Sequence, residues 1–358
     1  MPSLKEIKGR INSISSTLAI TSAMKMVAAA KLQKAQMAIQ NMLPYERQLH
    51  SMLIDLMGAM NISAAASEDG SVRGSGSAER GFDQSGDRLS LSNRHDLAGM
   101  DGAYSLMAQR EVRKVAIVAF ASNSSLCGAF NSNVIREATA VINEYRASGL
   151  GDADITVYSV GRKMAEAMKK LGFPSPADFT KMSDSPSYEA ASALAQELLD
   201  GFVSGRFDKV ELVYNHYKST SSQPTIRQTY LPLSLADATA DIQVGKITDS
   251  ASESDTNRVA EPVGAPVVRQ GSPTTEDLIV EPSKEALIAT LLPKVIRLRI
   301  FTTLLDSAAA EHAARTVAMQ LATDNGNDLL QELTLEYNKG RQQKITSEIL
   351  DLVGGSLQ

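Results

Sequence analysis

The sequence predicts a mixed α+β and α/β fold, with a long antiparallel N- and C-terminal helical coiled coil and a central α/β domain. Three observations lead to this prediction. Residues 4–60 and residues 283–353 each repeat apolar side chains at helical spacing. Residues 111–235 alternate short apolar runs with amphipathic helices, which is typical of a largely parallel sheet. Because neither terminal helix can bury its apolar stripe alone, the simplest arrangement pairs the two.

The N-terminal helix is predicted from a heptad seam. Ser3 begins it as a capping residue, and Glu6 follows three positions later. Apolar residues then alternate three and four positions apart, at Leu4, Ile7, Ile11, Ile14 and Leu18. Beyond Leu18 the stripe turns to alanine and methionine, and such small seam residues let two helix backbones approach closely. Pro44 predicts a kink or a short interruption.

The C-terminal helix is predicted to begin at Pro282 and Ser283. Its apolar pattern continues for about 70 residues, or about 105 Å at the α-helical rise. Pro293 predicts a kink in it. Residues 324–328, Asp-Asn-Gly-Asn-Asp, have the local chemistry of a turn.

Two polar segments separate the predicted shaft from the central domain. Residues 62–110 are rich in Ser, Gly and Asp without a sustained period, which predicts a flexible insertion. Residues 236–281 are polar with scattered Pro and Gly, which predicts a second linker or insertion. Residues 1–61 and 282–358 then form the two halves of a discontinuous shaft.

The central domain, residues 111–235, is predicted to be a Rossmann-like unit of strands and helices. Gly149 and Gly172 end two of its helices, since glycine accepts the left-handed conformation at that position. The predicted strands lie within 114–120, 154–161, 208–219 and 224–234, and the predicted helices within 128–149, 162–172 and 187–205.

Composition and charge narrow the classes of function. The net charge is −5, so bulk attraction to nucleic acid is not indicated. Residues 1–36 nevertheless carry six basic residues against the single acid Glu6, which indicates either an acidic partner or a solvated helix face. The single cysteine, Cys127, excludes an internal disulfide. No run approaches the roughly 18 apolar residues of a membrane span.

The sequence offers few residues for catalysis. It has no G-x-x-x-x-G-K-[ST] phosphate loop. Residues 124–131, SSLCGAFN, follow a strand and precede a helix, where a cofactor loop would lie, but they lack its glycine spacing. A structural turn is the favoured interpretation. Cys127 as a nucleophile would need a nearby base, and the four histidines lie in unrelated segments without metal-ligand spacing. No catalytic, cofactor-binding or metal-binding residue is therefore predicted.

Two interpretations remain open on these grounds. One is a small α/β enzyme that uses the loop after the first strand and dimerises through its helices. The other is an interaction or mechanical element, such as a coiled-coil scaffold. The end of the third strand, with Tyr214, His216, Tyr217 and Lys218, lacks the basic density of a nucleic-acid patch, so a loop that contacts protein is favoured.

Three motifs resemble the gamma subunit of F-type ATP synthases. They are SLKEIKGRINSI with AITSAMKMVAAAKLQKAQ near the start, SSLCGAFN in the middle, and EHAARTVAMQLATDNGNDLLQELTLEYNKGRQQKITSEILDLVGG at the end. The resemblance implies a non-catalytic rotor shaft with no cofactor. Its partners would be three alpha and three beta subunits, epsilon and the c-subunit ring, with contact to the membrane only through that ring. It also implies that residues 324–328 stay helical.

The resemblance also implies contact residues. Met24 and Lys25, in SAMKM, would lie near an acidic lever of beta. Polar contacts with the alpha/beta hexamer would come from Arg315, Arg341, Gln342 and Thr346. Contacts with the c ring and epsilon would come from Tyr214, Asn215, His216, Tyr217 and Lys218. For each of these positions a solvated helix face is the alternative.

Residues 62–110 and 241–275 depart from the common pattern of that family. The single cysteine excludes the thiol switch within the subunit that chloroplast-type members carry in an insertion. The N-terminal apolar pattern runs on without a break, which favours mature structure over a transit peptide. A bacterial enzyme, peripheral at the cytoplasmic face of the inner membrane, is the expected setting.

Overall fold

The computed structural model describes residues 3–68, 106, 110–233 and 284–355. Two long helices pair with each other and pack on one face of a four-stranded sheet that has helices on both faces. The helices are α1 (Leu4–Glu68), α2 (Phe130–Ala147), α3 (Arg162–Lys170), α4 (Thr180–Asp184), α5 (Tyr188–Val203) and α6 (Lys284–Gly355). The strands are β1 (Val115–Phe120), β2 (Ile155–Val160), β3 (Lys209–Asn215) and β4 (Thr225–Leu231), and a 3-10 turn covers Asp152–Asp154.

Helices α1 and α6 pair antiparallel along most of their length, as predicted. Gly340 lies against Leu4, and Gly326 lies against Leu18. Farther along, Thr302 donates a hydrogen bond to Glu46. The partner on α6 moves towards its N-terminus as the position on α1 increases, which defines the antiparallel register. At 1.5 Å per residue the helices are about 98 Å and about 108 Å long.

The N-terminus of α1 begins at the predicted cap. The backbone N–H of Glu6 donates to Ser3 Oγ at 3.2 Å, which confirms Ser3 as the capping residue. The helix ends at Glu68 rather than near residue 60, so the first residues assigned to the polar insertion are helical. The rest of that insertion, up to residue 105, and residues 236–281 lie outside the described residues.

The shaft helices are continuous through the three positions where the sequence predicted a kink or a turn: Pro44, Pro293 and residues 324–328. Pro44 lies inside α1, which continues beyond it without interruption. Proline inside a helix costs about 3 kcal/mol. Leu49, Leu53 and Leu56 follow it and are buried, and each contributes about 1.5–3 kcal/mol by its burial. Burial on this scale exceeds the cost of the proline. The turn expected on local chemistry at residues 324–328 is likewise helical within α6, as the family resemblance implied.

The sheet has the order β2-β1-β3-β4. Strands β2, β1 and β3 are parallel, and β4 pairs antiparallel with β3 at one edge. The central strand β1 is buried on both faces, which explains its continuous apolar sequence. The short helix α4 and the 3-10 turn were not predicted from the sequence.

Helix α6 is part of the core of the α/β domain. One face of the sheet packs on α2 and α3. The other face packs on α5 and on the first half of α6, through Leu292, Ile296, Ile300 and Leu304. From the amino edge of β3 to its carboxyl edge, the partners on α6 move towards the C-terminus. Tyr230 at the amino edge donates to the Ile296 carbonyl, whereas His216 at the carboxyl edge contacts Asp306. The carboxyl edge of the sheet therefore faces the end of the shaft that contains Gly340.

Candidate functional site

The loop after β1 forms a hydrogen-bonded turn at the carboxyl edge of the sheet. The backbone N–H of Ser122 donates to Asn131 Oδ1 at 3.0 Å, and Asn131 Nδ2 donates to Cys127 Sγ at 3.2 Å. Cys127 is 2% exposed. Leu126 and Gly128 have positive φ angles that complete the turn. These contacts confirm the interpretation of residues 124–131 as a structural turn, and they surround the thiol with serine and asparagine groups.

The loops after β1 and β2 pack directly against each other at the carboxyl edge of the sheet. A Cβ atom added to Gly161 would lie 2.0 Å from the carbonyl oxygen of Ala121. Ser183 donates to the same carbonyl at 3.0 Å. Asn123 bridges to the next loop by accepting from the backbone N–H of Arg162. Among the described residues, no group of three or more His, Cys, Asp or Glu side chains is placed to hold a metal ion.

Arg315, which the family resemblance predicted to contact the alpha/beta hexamer, joins α6 to the loop after β1. Its Nη1 donates to Glu311 Oε1 at 2.6 Å, and its Nη2 donates to Ser124 Oγ at 2.7 Å. The side chains of Arg315 and Glu311 are 11% and 10% exposed. Burial raises the pKa of Glu311 even though Arg315 opposes the shift. Two donors of Arg315 are therefore used within the chain, one of them on the buried carboxylate that needs a cationic partner.

A cleft of about 310 Å³ lies between α1, α6 and the loop after β1. Its lining includes Met24, Lys31, Ser124, His312 and Arg315. The structure thus brings together Met24 and Arg315, which the sequence placed in separate motifs. Lys25 is half-buried nearby on α1 and does not line the cleft. The cleft presents an apolar floor from α1 with polar groups along its rim.

His312, Ser124 and Lys31 are cleft residues that sequence reasoning missed. The Nδ1 atom of His312 is buried and has no hydrogen-bond partner in the described part of the chain. Burial, together with the nearby charges of Arg315 and Lys31, lowers the pKa of His312 to about 4. His312 is therefore neutral at pH 7. Its i, i+3 spacing from Arg315 on one helix was the available signal that both face the same cleft.

The predicted c-ring and epsilon residues, 214–218, divide into buried and accessible groups. Tyr214 and Asn215 are 8% and 1% exposed. Asn215 donates to the Phe130 carbonyl at 3.0 Å and accepts from Thr225 at 2.6 Å. These two residues serve the interior of the domain, whereas the family resemblance had predicted contacts of both with partners. The sequence did not reveal this because β3 is buried on both faces and shows no alternation.

His216 and Tyr217 instead contact the shaft. His216 Nδ1 lies 2.6 Å from Asp306 Oδ2, and the backbone N–H of Tyr217 donates to Asp306 Oδ1 at 2.9 Å. The hydroxyl of Tyr217 accepts from Gln36 Nε2 at 2.6 Å. Lys218 is exposed. This segment lies at the carboxyl edge of the sheet, so it faces the end of the shaft that contains Gly340.

The ion pair of His216 and Asp306 predicts a pH-dependent stability. The hydrogen bond to Asp306 raises the pKa of His216, although burial and Lys218 oppose the shift. Its contribution to the free energy of unfolding is fully present below the ordinary histidine pKa of 6.5 and is lost as the pH rises through the raised value. We expect the stability difference between the parent and His216→Gln to shrink between pH 6 and pH 9, measured by urea unfolding. A difference that stays constant over this range would contradict the prediction.

The C-terminal part of α6 extends beyond the paired shaft. Gly340 lies opposite Leu4, the first residue of α1, so the helix from residue 341 onward has no α1 beside it. Residues 341–350 are all exposed, including Arg341, Gln342 and Thr346. Thr346 Oγ1 donates to the Gln342 carbonyl within the helix. Several large apolar side chains are exposed here: Ile345, Ile349, Leu350, Leu352 and Val353.

Comparison with known proteins agrees with this architecture. The family model described as ATP synthase matches residues 3–357. A protein of Phocaeicola vulgatus named ATP synthase gamma chain is 47% identical, and the alignment covers 100% of both chains. The chain belongs to the ATP synthase gamma chain family. A gamma chain of Flavobacterium johnsoniae is 36% identical over 99% of this chain and 98% of its own length.

A solved structure shares the fold of this gamma chain family member. A chain in the Euglena gracilis mitochondrial ATP synthase, in an assembly of OSCP, F1 and c-ring, has a TM-score of 0.54 and 18% identity. The alignment covers 99% of this chain and 93% of that chain. Within the described ranges, no helix combines the length and the apolarity that crossing a membrane requires.

Proposed function

We propose that this gamma chain is the central-stalk rotor of an F-type ATP synthase. It couples ion flow through a ring of c subunits to conformational change at the catalytic sites of the beta subunits. The coupling is reversible, so ATP hydrolysis at those sites drives ion pumping. The observation that carries the proposal is the unpaired end of α6, an exposed single helix with an apolar face at the tip of a long coiled coil.

The exposed apolar face at this tip needs a surrounding protein surface. Ile345, Ile349 and Leu352 are 48%, 54% and 74% exposed. Burial of such side chains contributes about 1.5–3 kcal/mol each. A sleeve of three alpha and three beta subunits around the tip would supply this burial. The gamma chain is a subunit of the complex that performs no bond chemistry itself.

The shaft has the mechanical properties that a rotor requires. Two paired helices resist bending and twisting better than one. Their surface inside the sleeve is asymmetric, because α6 extends beyond the first residue of α1 and the two helices differ in sequence. A rotor shifts the equilibria of the three beta sites only if it contacts each of them differently at a given angle. The asymmetry of the shaft provides that difference.

The two ends of the shaft would bind different partners. With the tip inside the alpha/beta hexamer, the first residues of α6 and the end of α1 lie towards the c ring and epsilon. Residues 216–218, which the family resemblance predicted to contact the c ring, lie in this orientation on the side that faces the hexamer. The complex is peripheral at the cytoplasmic face of a bacterial inner membrane, and this chain meets that membrane only through the c ring.

Met24, Lys25, Arg341, Gln342 and Thr346 are the proposed contacts with the hexamer. Met24 lines the cleft beside the loop after β1, where an acidic segment of beta would meet Lys31 and Arg315. Arg341 and Gln342 are exposed on the unpaired helix, so their side-chain N–H groups are accessible to a partner. Arginine suits this role because its planar fork of donors matches carboxylates and carbonyls.

Co-purification tests the proposed function directly. The chain, expressed with the alpha and beta subunits of the same enzyme, should elute as a complex containing three copies of each for one gamma chain. The complex should hydrolyse ATP and rotate a bead attached to the gamma chain. A gamma chain that remains separate from alpha and beta, while correctly folded, would overturn the proposal.

The double variant Arg341→Ala/Gln342→Ala is expected to lower ATP-driven ion pumping by the reconstituted complex by about thirtyfold or more. Loss of a charged partner at a buried contact costs about 2–5 kcal/mol, and about 1.4 kcal/mol corresponds to tenfold in rate. The isolated subunit should fold normally, because both residues are exposed. Lys169→Ala/Lys170→Ala, at exposed positions on α3, is the control. Equal pumping by the two double variants would show that residues 341 and 342 form only a solvated face.

A further inference from the structure

His216 and Tyr217 form a polar connection between the sheet and both shaft helices. Tyr217 accepts from Gln36 of α1 at 2.6 Å, while its backbone N–H donates to Asp306 of α6 at 2.9 Å. His216 lies 2.6 Å from the other oxygen of Asp306. We call this set of four residues the collar joint: Gln36, His216, Tyr217 and Asp306. It lies where the shaft leaves the α/β domain towards the tip.

The collar joint is anchored on a rigid part of the domain. Asn215 directly precedes it, is 1% exposed, and is hydrogen-bonded to Phe130 and Thr225. Strand β3 is paired on both sides, with β1 and with β4. A force applied to the sheet therefore reaches His216 and Tyr217 without passing through a free loop. The ring of Tyr217 also packs against the apolar clusters of the shaft and of the loop after β1.

The two shaft helices are attached to the domain in different ways. Helix α6 runs through the core and moves with the sheet. Helix α1 joins the core through Leu49 and Leu53, nearer its C-terminal end. Beside the collar joint, the seam between the helices is apolar, with Ala35, Ala309 and Ala313 around Leu32 and Ile39. Apolar contacts are non-directional, whereas a hydrogen bond holds a defined angle. Small side chains also interlock less than large ones.

We propose that the collar joint locks the rotation of α1 to that of the α/β domain, so that torque enters both helices of the shaft together. The four residues are positioning residues for the rotary function and take no part in bond chemistry. The proposal rests on the rotor function proposed above, and it adds the residues through which the sheet holds α1.

The test uses the complex reconstituted with alpha, beta and c ring, with Tyr217→Phe, Gln36→Leu and Asp306→Asn variants of the full chain. Tyr217→Phe keeps the ring in both clusters and removes the acceptor of the Gln36 bond. Loss of the hydrogen bond between Gln36 and Tyr217 should raise the fraction of molecules in which α1 is detached from the collar joint about fivefold. In Asp306→Asn, the amide of Tyr217 should exchange with solvent about fivefold faster. In all three variants, the angular spread of the rotating shaft should widen and fewer ions should be pumped per ATP hydrolysed.

Tyr145→Phe is the matched control for lost stability. Tyr145 donates to Glu211 at 2.6 Å, on the face of the sheet away from the shaft. Its loss removes a side-chain hydrogen bond of a tyrosine, here one donated to a carboxylate, without touching α1. The proposal predicts that Tyr145→Phe lowers the stability of the isolated chain but keeps the parent angular spread and the parent number of ions per ATP.

The outcomes separate the collar joint from the rotor function. If the parent complex rotates and Tyr217→Phe shows the angular spread and ion yield of Tyr145→Phe, the collar joint is overturned and the rotor function stands. If the parent chain does not assemble with alpha and beta, the rotor function fails, and the torque role fails with it. Additive effects of Gln36→Leu and Tyr217→Phe would also count against the joint, because partners in one hydrogen bond must be non-additive.

Discussion

Replacing Glu211 with alanine is expected to lower the free energy of unfolding by about 3 kcal/mol, because it leaves partly buried cationic groups without their buried carboxylate. Glu211 is 2% exposed at its side chain, on the central strand β3. Its oxygens accept from Tyr145 at 2.6 Å, from Lys209 at 2.6 Å and from Arg227 at 2.7 Å. About 3 kcal/mol is the low end of the range for breaking a buried ion pair. We take the low end because Lys209 and Arg227 are 26% and 28% exposed.

The Glu211 carboxylate stays ionised in the folded chain. Burial would raise the pKa of Glu211, but hydrogen bonds from Arg227, Lys209 and Tyr145 outweigh it and lower the pKa. The contribution to stability is therefore present above the ordinary carboxyl pKa and is lost as the pH falls through the lowered value. The cost of Glu211→Ala should accordingly be largest near neutral pH and should shrink in acid.

Urea unfolding of the isolated chain at pH 7 measures this cost. Glu144→Ala is the matched control, because Glu144 pairs with the same Arg227 but is 60% exposed. Exposed ion pairs contribute only about 0–1 kcal/mol, so Glu144→Ala should be nearly neutral. Equal effects of the two substitutions would show that burial of Glu211 does not set the energy of the cluster.

The second large effect is expected from Gly326→Leu, which should force α1 and α6 apart near Leu18. A Cβ atom at position 326 would lie 2.7 Å from Leu18 Cδ2 and 3.2 Å from Leu18 Cγ. Overpacking of this kind costs about 1–3 kcal/mol, which matches or exceeds the gain of about 1 kcal/mol from replacing a helical glycine. The rates of rotation and of ATP-driven pumping by the complex should also fall, because the distorted shaft would no longer fit inside the surrounding alpha and beta subunits.

Gly9→Leu is the control for Gly326→Leu. Gly9 lies in the same coiled coil, on α1, and a Cβ atom there would meet nothing within 4 Å. This substitution should stabilise the helix slightly. Combining Gly326→Leu with Leu18→Ala should restore much of the lost stability, because the smaller side chain at position 18 leaves room for the leucine at position 326. The explanation is wrong if Gly326→Leu melts at the same temperature as Gly9→Leu, or if Leu18→Ala gives no rescue.

Residues 324–328 show how tertiary packing overrides local chemistry. Their sequence is typical of a turn, and the family resemblance alone argued for a helix. The structure supplies the reason, because the missing side chain at Gly326 makes room for Leu18 of the other helix. Glycine is present here for close approach of two helices, and a pattern of single residues cannot distinguish that use from a turn.

Arg315 and Asn215 show that sequence patterns also fail to reveal long-range contacts at the candidate site. Both have side chains suited to binding a partner, and motif position predicted that role. The structure places the Arg315 guanidinium on Glu311 and Ser124, and the Asn215 amide on Phe130. Ser124 is 191 positions away from Arg315 in the chain, so no local pattern could reveal the contact. Arg341 and Gln342 were also predicted to bind partners from their position in a motif. Both are exposed, so that prediction stays to be tested by experiment.

The sequence by itself determined the two shaft helices, their antiparallel pairing, the strands of the central domain and the family. Apolar periodicity and capping are local patterns, and periodicity repeats over many residues, so both can be recognised in the sequence before the fold is known. Only the tertiary structure decided that α6 completes the core of the domain, that β4 is antiparallel, and that His216 and Tyr217 connect the sheet to both helices. Each of these depends on a few contacts between residues distant in the chain. Their energies arise from burial and geometry that do not exist until the chain has folded.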